Sequence, residues 1–336
     1  MRPIIFGCSG PGLADPERRF FQSADPAGFI LFSRNVESPD QVRGLVAELR
    51  ASVGRADAPV LIDQEGGRVQ RLGPPHWPAY PPAARFADLY IHAPEKAVEA
   101  ARLNAFLMAR DLAELGITVD CAPVLDVRQP DADAIIGDRA YGDTPAQVAA
   151  LGRAVAEGLL DGGVLPVIKH VPGHGRAKVD SHQSLPVVET PLDELEAVDF
   201  TPFRALAHMP WAMTAHVVYT ALDRDRPATT SGQVVGEVIR QKIGFDGILL
   251  TDDLSMKALK GDYRTRAAAS LGAGCDLVLH CNGKMEEMEA AASGCGEMTA
   301  QTRERLGRGE AMRRDPADTD PEGARRRLMD IMENGT

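Results

Sequence analysis

A chain of 336 residues with 44% hydrophobic and 25% charged content can bury a full core, as one large domain or two ordinary ones. Its formal net charge of −11 argues against nucleic acid or an anionic membrane as the main partner, because phosphate binding needs a basic face. Aromatic content of only 5% argues against a carbohydrate-binding module of stacked rings, and five cysteines without CxxC spacing read as reduced thiols of a cytoplasmic protein. No apolar run approaches membrane-spanning length. The opening Met1–Gly10 stretch, with Cys8, is too short in its apolar part for a signal peptide and reads as a first strand.

Short apolar runs then alternate with amphipathic segments. The strands expected in order are Ile4–Cys8, Gly28–Phe32, Val60–Ile62, Ile117–Val124, Val167–Lys169, Ala212–Ala215, Ile248–Thr251 and Asp276–His280. Most are too continuously apolar for a sheet with one wet face, which suits parallel strands covered on both sides. Between them, Val42, Leu45, Val46, Leu49 and Val53 share one helical face. So do Val98, Ala101, Ala105, Met108, Leu112 and Leu115, and later Val235, Val238, Ile239 and Ile243. Ser38, Thr144 and Thr190 each precede a proline and offer a hydroxyl cap to a helix. Gly116, Gly163 and Gly244 close helices before strands. About eight βα units imply a single-domain (β/α)8 TIM barrel over residues 1–300, followed by a charged helical tail over 301–336. An open doubly wound sheet is the runner-up, weakened because no G-x-G-x-x-G follows the first strand.

Polar residues gather where the apolar strands end, which in a barrel is where chemistry collects. Val60–Ile62 runs into Asp63-Gln64-Glu65, Val119 into Asp120, Val124-Leu125 into Asp126, and Val167-Ile168 into Lys169-His170. Thr214-Ala215 runs into His216, and Leu250-Thr251 into Asp252-Asp253. Any one of these is an ordinary loop cap or ion pair; the set describes a polar mouth above an apolar core. Asp252, directly after an apolar strand, is the nucleophile candidate for a retaining glycosidase, which needs one carboxylate on the anomeric carbon and a second group to protonate the leaving oxygen. Its neighbour Asp253 is instead a candidate cap for the following helix, and the tandem leaves some ambiguity between the two. The loop Val171–His182 holds two glycines and several polar groups, which suggests a mobile arm rather than a packed one. Asp180 and His182, two residues apart, can hydrogen-bond in a turn, and a carboxylate beside imidazole suits a general acid/base. Metal is the competing use of His170, His174, His182, His216 and Asp252, but the first strand lacks the H-x-H of the metal-dependent amidohydrolase barrels.

The chain resembles glycoside hydrolase family 3, in particular its bacterial β-N-acetylglucosaminidases of cell-wall recycling. The likeness rests on GFILFSRN (28–35), IDQEGGRVQRL (62–72), APVLDV (122–127), IGDRAY (136–141), KHVPGHGRAKVDSH (169–182), AHVVY (215–219) and GILLTDDLSM (247–256). The resemblance implies a two-step retaining mechanism with Asp252 as nucleophile and His182, assisted by Asp180, as acid/base. It implies sugar binding by Asp63, Arg71, Arg139, Lys169 and His170, and no metal or organic cofactor. The implied substrate is a disaccharide or muropeptide with terminal β-linked N-acetylglucosamine on 1,6-anhydro-N-acetylmuramic acid. No nucleic acid or membrane partner is expected, and the oligomeric state stays open, with a monomer expected. Two alternatives remain. A phosphorylase is one, since a neutral acid/base would repel an anionic acceptor less than a carboxylate would. The other is a catalytically silent barrel that binds muropeptides.

Overall fold

The computed structural model describes residues 1–181 and 183–334. Eight strands close a parallel barrel: β1 Arg2–Gly7, β2 Pro26–Leu31, β3 Val60–Ile62, β4 Val119–Asp120, β5 Leu165–Val171, β6 Trp211–Thr214, β7 Ile248–Asp253 and β8 Leu277–His280. They follow one another around the barrel in chain order, and β1 closes it by pairing with both β2 and β8. β1 to β6 and β8 are buried throughout or nearly so, as expected for strands covered on both faces. The closed (β/α)8 barrel is therefore the fold, and the open sheet is excluded.

All eight expected strands occur, one of them cut short. The apolar run Ile117–Val124 contributes only Val119–Asp120 to the ladder, and pairing resumes as a bridge from Val124 to Lys169. Pro123 has no N–H to give a neighbouring strand, so the ladder is interrupted there.

The helices keep their expected apolar faces. In α1 (Asp15–Ala24) Phe21 is buried; in α2 (Pro39–Ser52) Val42, Leu45, Val46 and Leu49 are. Helix α3 (Ala83–His92) and the long α4 (Pro94–Glu114) pack beside α5 (Pro145–Asp161). Ser38 and Thr144 cap α2 and α5 by accepting from the backbone N–H of Gln41 and Gln147. Thr190 does not act this way. The pairing of Val187–Val188 with Val218–Tyr219 keeps the chain extended past it, and α6 (Leu192–Ala197) starts with Pro191 in the cap position. α7 (Phe200–Ala205) follows directly. Gly116, Gly163 and Gly244 have φ of 79°, 90° and 82°, the left-handed turn that glycine adopts without steric cost. Val234–Lys242 winds as a wider π-type helix yet still buries Val235, Val238 and Ile239.

Helix α8 (Tyr263–Ala273) follows β7, and α9 (Met285–Ser293) follows β8. Two further helices cover the barrel. In α10 (Ala300–Glu310), Arg305 Nη1 and Thr302 Oγ1 bind Asp276 Oδ1 at 3.0 and 3.1 Å, tying the helix beneath β8. In α11 (Pro321–Asn334), Ala324, Leu328 and Ile331 are buried, and the helix lies on α4. All five cysteines are free thiols and buried. Among the described residues no helix is long and apolar enough to cross a membrane.

Candidate active site

A cleft of about 260 Å³ opens at the carboxyl ends of the strands. Asp63, Glu65, Arg71, Arg139, Lys169, His170, His174, Ser181 and Asp252 line it, with Phe32, Ile136 and Met213 as apolar wall. Its volume lies near the small end of ligand sites, about 300 Å³, which suits one terminal sugar better than a long chain.

The expected sugar-binding residues meet here as one ion-pair network. Asp63 accepts from Lys169 Nζ at 3.0 Å and from Arg71 Nη2 at 3.0 Å. Glu65, which the sequence motif contains but gave no role, takes Lys169 Nζ at 2.6 Å. It also takes Arg139 through a two-point fork, Nε and Nη2 each at 2.8 Å. Lys169 is only 2% exposed and Glu65 7%. Burial alone would push both toward neutrality. The opposite charges win instead: burial opposes ionisation of Glu65, but Arg139 and Lys169 hold its carboxyl down at about 2. The same contest, with Lys169 and Arg71 as partners, holds Asp63 well below the usual carboxylate range. Lys169 is raised in turn by the two carboxylates, against the effect of burial. Both carboxylates of this network are thus fixed anions at neutral pH. A signal for Glu65 did exist: residues two apart in an extended chain face the same side, and Glu65 stands two after Asp63.

A second buried node sits behind His170. Asp126 Oδ2 accepts from the imidazole Nδ1 at 2.7 Å, while Oδ1 takes the backbone N–H of His170 at 3.2 Å and of His174 at 2.6 Å. Burial raises the Asp126 carboxyl, but His170 and these donors bring it to about 2. An ionised carboxylate can only accept, so Nδ1 carries the proton and Nε2 is the atom left to the cleft. His174, held toward neutrality by burial, places Nε2 3.3 Å from Ser181 Oγ.

The loop after β5 differs from the mobile arm its glycines suggest. Residues 171–175 are buried, and a Cβ on Gly175 would stand 2.0 Å from the Val127 carbonyl oxygen. One on Gly173 would stand 2.9 Å from Asp199 Cβ. The glycines permit close packing, and Arg176 adds ion pairs to Asp199 at 2.7 Å and Glu194 at 2.8 Å. Only from Lys178 onward does the loop reach solvent, returning at Ser181 to the cleft. Asp180 lies in a turn whose carbonyl accepts from the N–H of Gln183 and Ser184. His182, the expected acid/base, lies outside the described residues, and so does the hydrogen bond expected between it and Asp180.

The tandem at the end of β7 is divided by its contacts. Asp253 Oδ1 accepts from the N–H of Ser255 at 3.0 Å and of Cys281 at 3.1 Å, and Oδ2 accepts from Ser255 Oγ. It thus stitches the turn after β7 to the end of β8. It does not cap α8, whose cap is Asp262. Asp252 lines the cleft, with Oδ1 accepting from the Asp253 N–H at 2.8 Å. His216 stays behind the strand end, its Nε2–H donating to the Asp253 carbonyl at 3.1 Å. Among the described residues, no group of three or more His, Cys, Asp and Glu side chains is placed to hold a metal ion.

A closed parallel barrel with a cation-and-carboxylate mouth is the framework of a barrel glycosidase, and comparison with known proteins agrees. The model of the glycosyl hydrolase family 3 N-terminal domain matches residues 14–306. A beta-hexosaminidase of Methylococcus capsulatus is 42% identical over 282 residues, covering 83% of this chain and 82% of that protein. One from Alkalilimnicola ehrlichii is 40% identical over 284 residues, covering 83% and 80%. Among solved structures, NagZ from Neisseria gonorrhoeae in complex with N-trifluoroacetyl-D-glucosamine superposes with a TM-score of 0.86 at 31% identity, covering 99% of this chain and 98% of that one. The chain belongs to glycosyl hydrolase family 3. Within it, the chain is a β-N-acetylhexosaminidase of the NagZ type.

Proposed function

We propose that the enzyme removes a terminal β-linked N-acetylglucosamine from 1,6-anhydro-N-acetylmuramic acid, with or without its peptide, during peptidoglycan recycling in the cytoplasm. The reaction retains configuration and passes through a glycosyl-enzyme on Asp252. Asp63, Arg71, Arg139, Lys169 and His170 hold the sugar.

The observation that carries this reading is how the carboxylates of the cleft divide their work. Asp63 and Glu65 are paired with cations and held ionised, so neither has a proton to give a leaving group. Asp253 is engaged in the turn after β7. Asp252, which lines the cleft at the end of β7, is read as the nucleophile, and the proton as coming from the segment that returns to the cleft at Ser181. Asp180 and His182 flank that residue, and they fill the acid/base role. In the first step Asp252 attacks the anomeric carbon and the C–O bond to the aglycone breaks. The aglycone oxygen takes its proton from His182. In the second step His182 takes a proton from water, whose oxygen displaces Asp252.

Release of nitrophenol from a nitrophenyl N-acetyl-β-glucosaminide tests the assignment. Asp252→Ala is expected to abolish turnover with an unchanged unfolding midpoint. Asp253→Ala is expected to lose stability first and to retain measurable turnover; the reverse pattern would move the nucleophile to Asp253. Running wild type in phosphate buffer separates hydrolysis from phosphorolysis, and accumulation of chiefly the sugar 1-phosphate would overturn the hydrolase.

A further inference from the structure

Arg139 reaches the cleft from a short 3₁₀ turn, Gly137–Arg139, within the long connection between β4 and α5. That connection supplies one anchor of its own to the guanidinium, the Ile135 carbonyl at 3.1 Å from Nη1. Among the described contacts, the tie from this guanidinium to the barrel is Glu65, through both carboxylate oxygens. A planar fork meeting a carboxylate at two points fixes direction as well as distance. The same carboxylate takes a second proton of Lys169, whose other partner is Asp63.

We propose that Glu65 is the positioning residue that aims Arg139 and Lys169 at the sugar, without touching the reacting atoms itself. The proposal rests on the sugar-binding roles assigned above to Arg139 and Lys169. A buried charge is costly unless it is paired, so Glu65 offsets the burial of both cations, and its two-point fork does more than neutralise them. What Glu65 adds is orientation. It takes the Nε–Nη2 edge of the Arg139 guanidinium and one proton of Lys169, leaving the N–H groups that neither it nor the Ile135 carbonyl engages for ligand oxygens. It also sets the charge of the cleft. Lys169, Arg71 and Arg139 against Asp63 and Glu65 leave one net positive charge beside Asp252; losing Glu65 makes it two.

The experiment compares Glu65→Gln, which keeps the shape and one acceptor oxygen, with wild type on a nitrophenyl N-acetyl-β-glucosaminide. The expected result is a KM raised by roughly tenfold or more with kcat changed by less than about threefold, the signature of lost binding rather than lost chemistry. Product inhibition by N-acetylglucosamine weakens in parallel. The acid limb of the kcat/KM profile moves to lower pH, because the extra positive charge favours the Asp252 carboxylate; a role in stability alone would not move it. Adding Glu65→Gln to Arg139→Gln raises KM by less than Glu65→Gln does in the wild type, since part of its effect runs through Arg139 and the rest through Lys169. If Glu65→Gln does not fold, Glu65→Asp, which keeps the charge but shortens the reach to Arg139 and Lys169, carries the same KM comparison against wild type. A KM within about twofold of wild type, or KM effects of the two substitutions that simply multiply, overturns the proposal. Failure of the activity itself would show differently, as a wild-type enzyme that releases no nitrophenol.

Discussion

Replacing Asp126 by asparagine reverses one hydrogen bond in the floor of the site. The amide oxygen can still accept from the backbone N–H of His170 and His174, as Oδ1 does now at 3.2 and 2.6 Å. The amide nitrogen takes the place of Oδ2, 2.7 Å from His170 Nδ1, and it donates. Nδ1 must then accept, and the imidazole proton moves to Nε2, so the cleft meets the opposite tautomer. Two magnitudes follow. The carboxyl is held at about 2 against an ordinary 3.8, and at 1.36 kcal/mol per unit this corresponds to about 2 kcal/mol of stability at neutral pH. If His170 binds the sugar as proposed, the reversed contact lowers kcat/KM by roughly tenfold or more, as expected when a buried polar partner is mismatched. Thermal unfolding at pH 7 and nitrophenol release from an N-acetyl-β-glucosaminide measure the two. An Asp126→Asn enzyme with kcat/KM within about threefold of wild type and an unchanged midpoint would falsify the argument that Asp126 sets the tautomer.

Further expectations come from the same geometry. Glu65 and Asp126 both have carboxyls depressed to about 2, so their stabilisation is complete above their ordinary values of 4.5 and 3.8 and disappears as pH falls through 2. Urea titrations between pH 5 and 2.5 therefore show a steep loss of stability that is shallower in Asp126→Asn; identical slopes would exclude Asp126 as a contributor. Gly175→Ala places a methyl carbon 2.0 Å from the Val127 backbone oxygen, and the loop must shift. A cost of about 1–3 kcal/mol with a large fall in kcat is expected, whereas Gly244→Ala, with open space around it, loses about 1 kcal/mol and keeps its activity. Equal kcat in the two variants would show that the packed start of the loop does not matter to catalysis.

Much of this was legible from local signals. Each barrel strand announces itself as a short apolar run, because burial on both faces leaves no room for alternation. The hydroxyls of Ser38 and Thr144 and the left-handed glycines mark helix ends within three or four residues of themselves. Even the mouth of the site was visible as polar residues at strand ends, with Asp63, Lys169, His170 and Asp252 all among them. The sequence favoured Asp252 over Asp253 but left the tandem partly ambiguous, since both end the same strand and the partners that engage Asp253, Ser255 and Cys281, include one 28 residues away. It misread Gly173 and Gly175 as freedom, because the backbone they pack against belongs to Val127 and Asp199.

The sequence by itself determined the barrel and the chemical character of its open end, since periodicity, caps and strand-end polarity are properties of a few neighbouring residues. Only the tertiary structure decided which charge meets which. Glu65 finds Arg139 74 positions away and Asp126 finds His170 44 positions away. Those pairings exist because closing eight strands into a barrel brings the ends of β3, β4 and β5 together over a single cleft. Burial there makes a carboxylate without its cation too costly to keep.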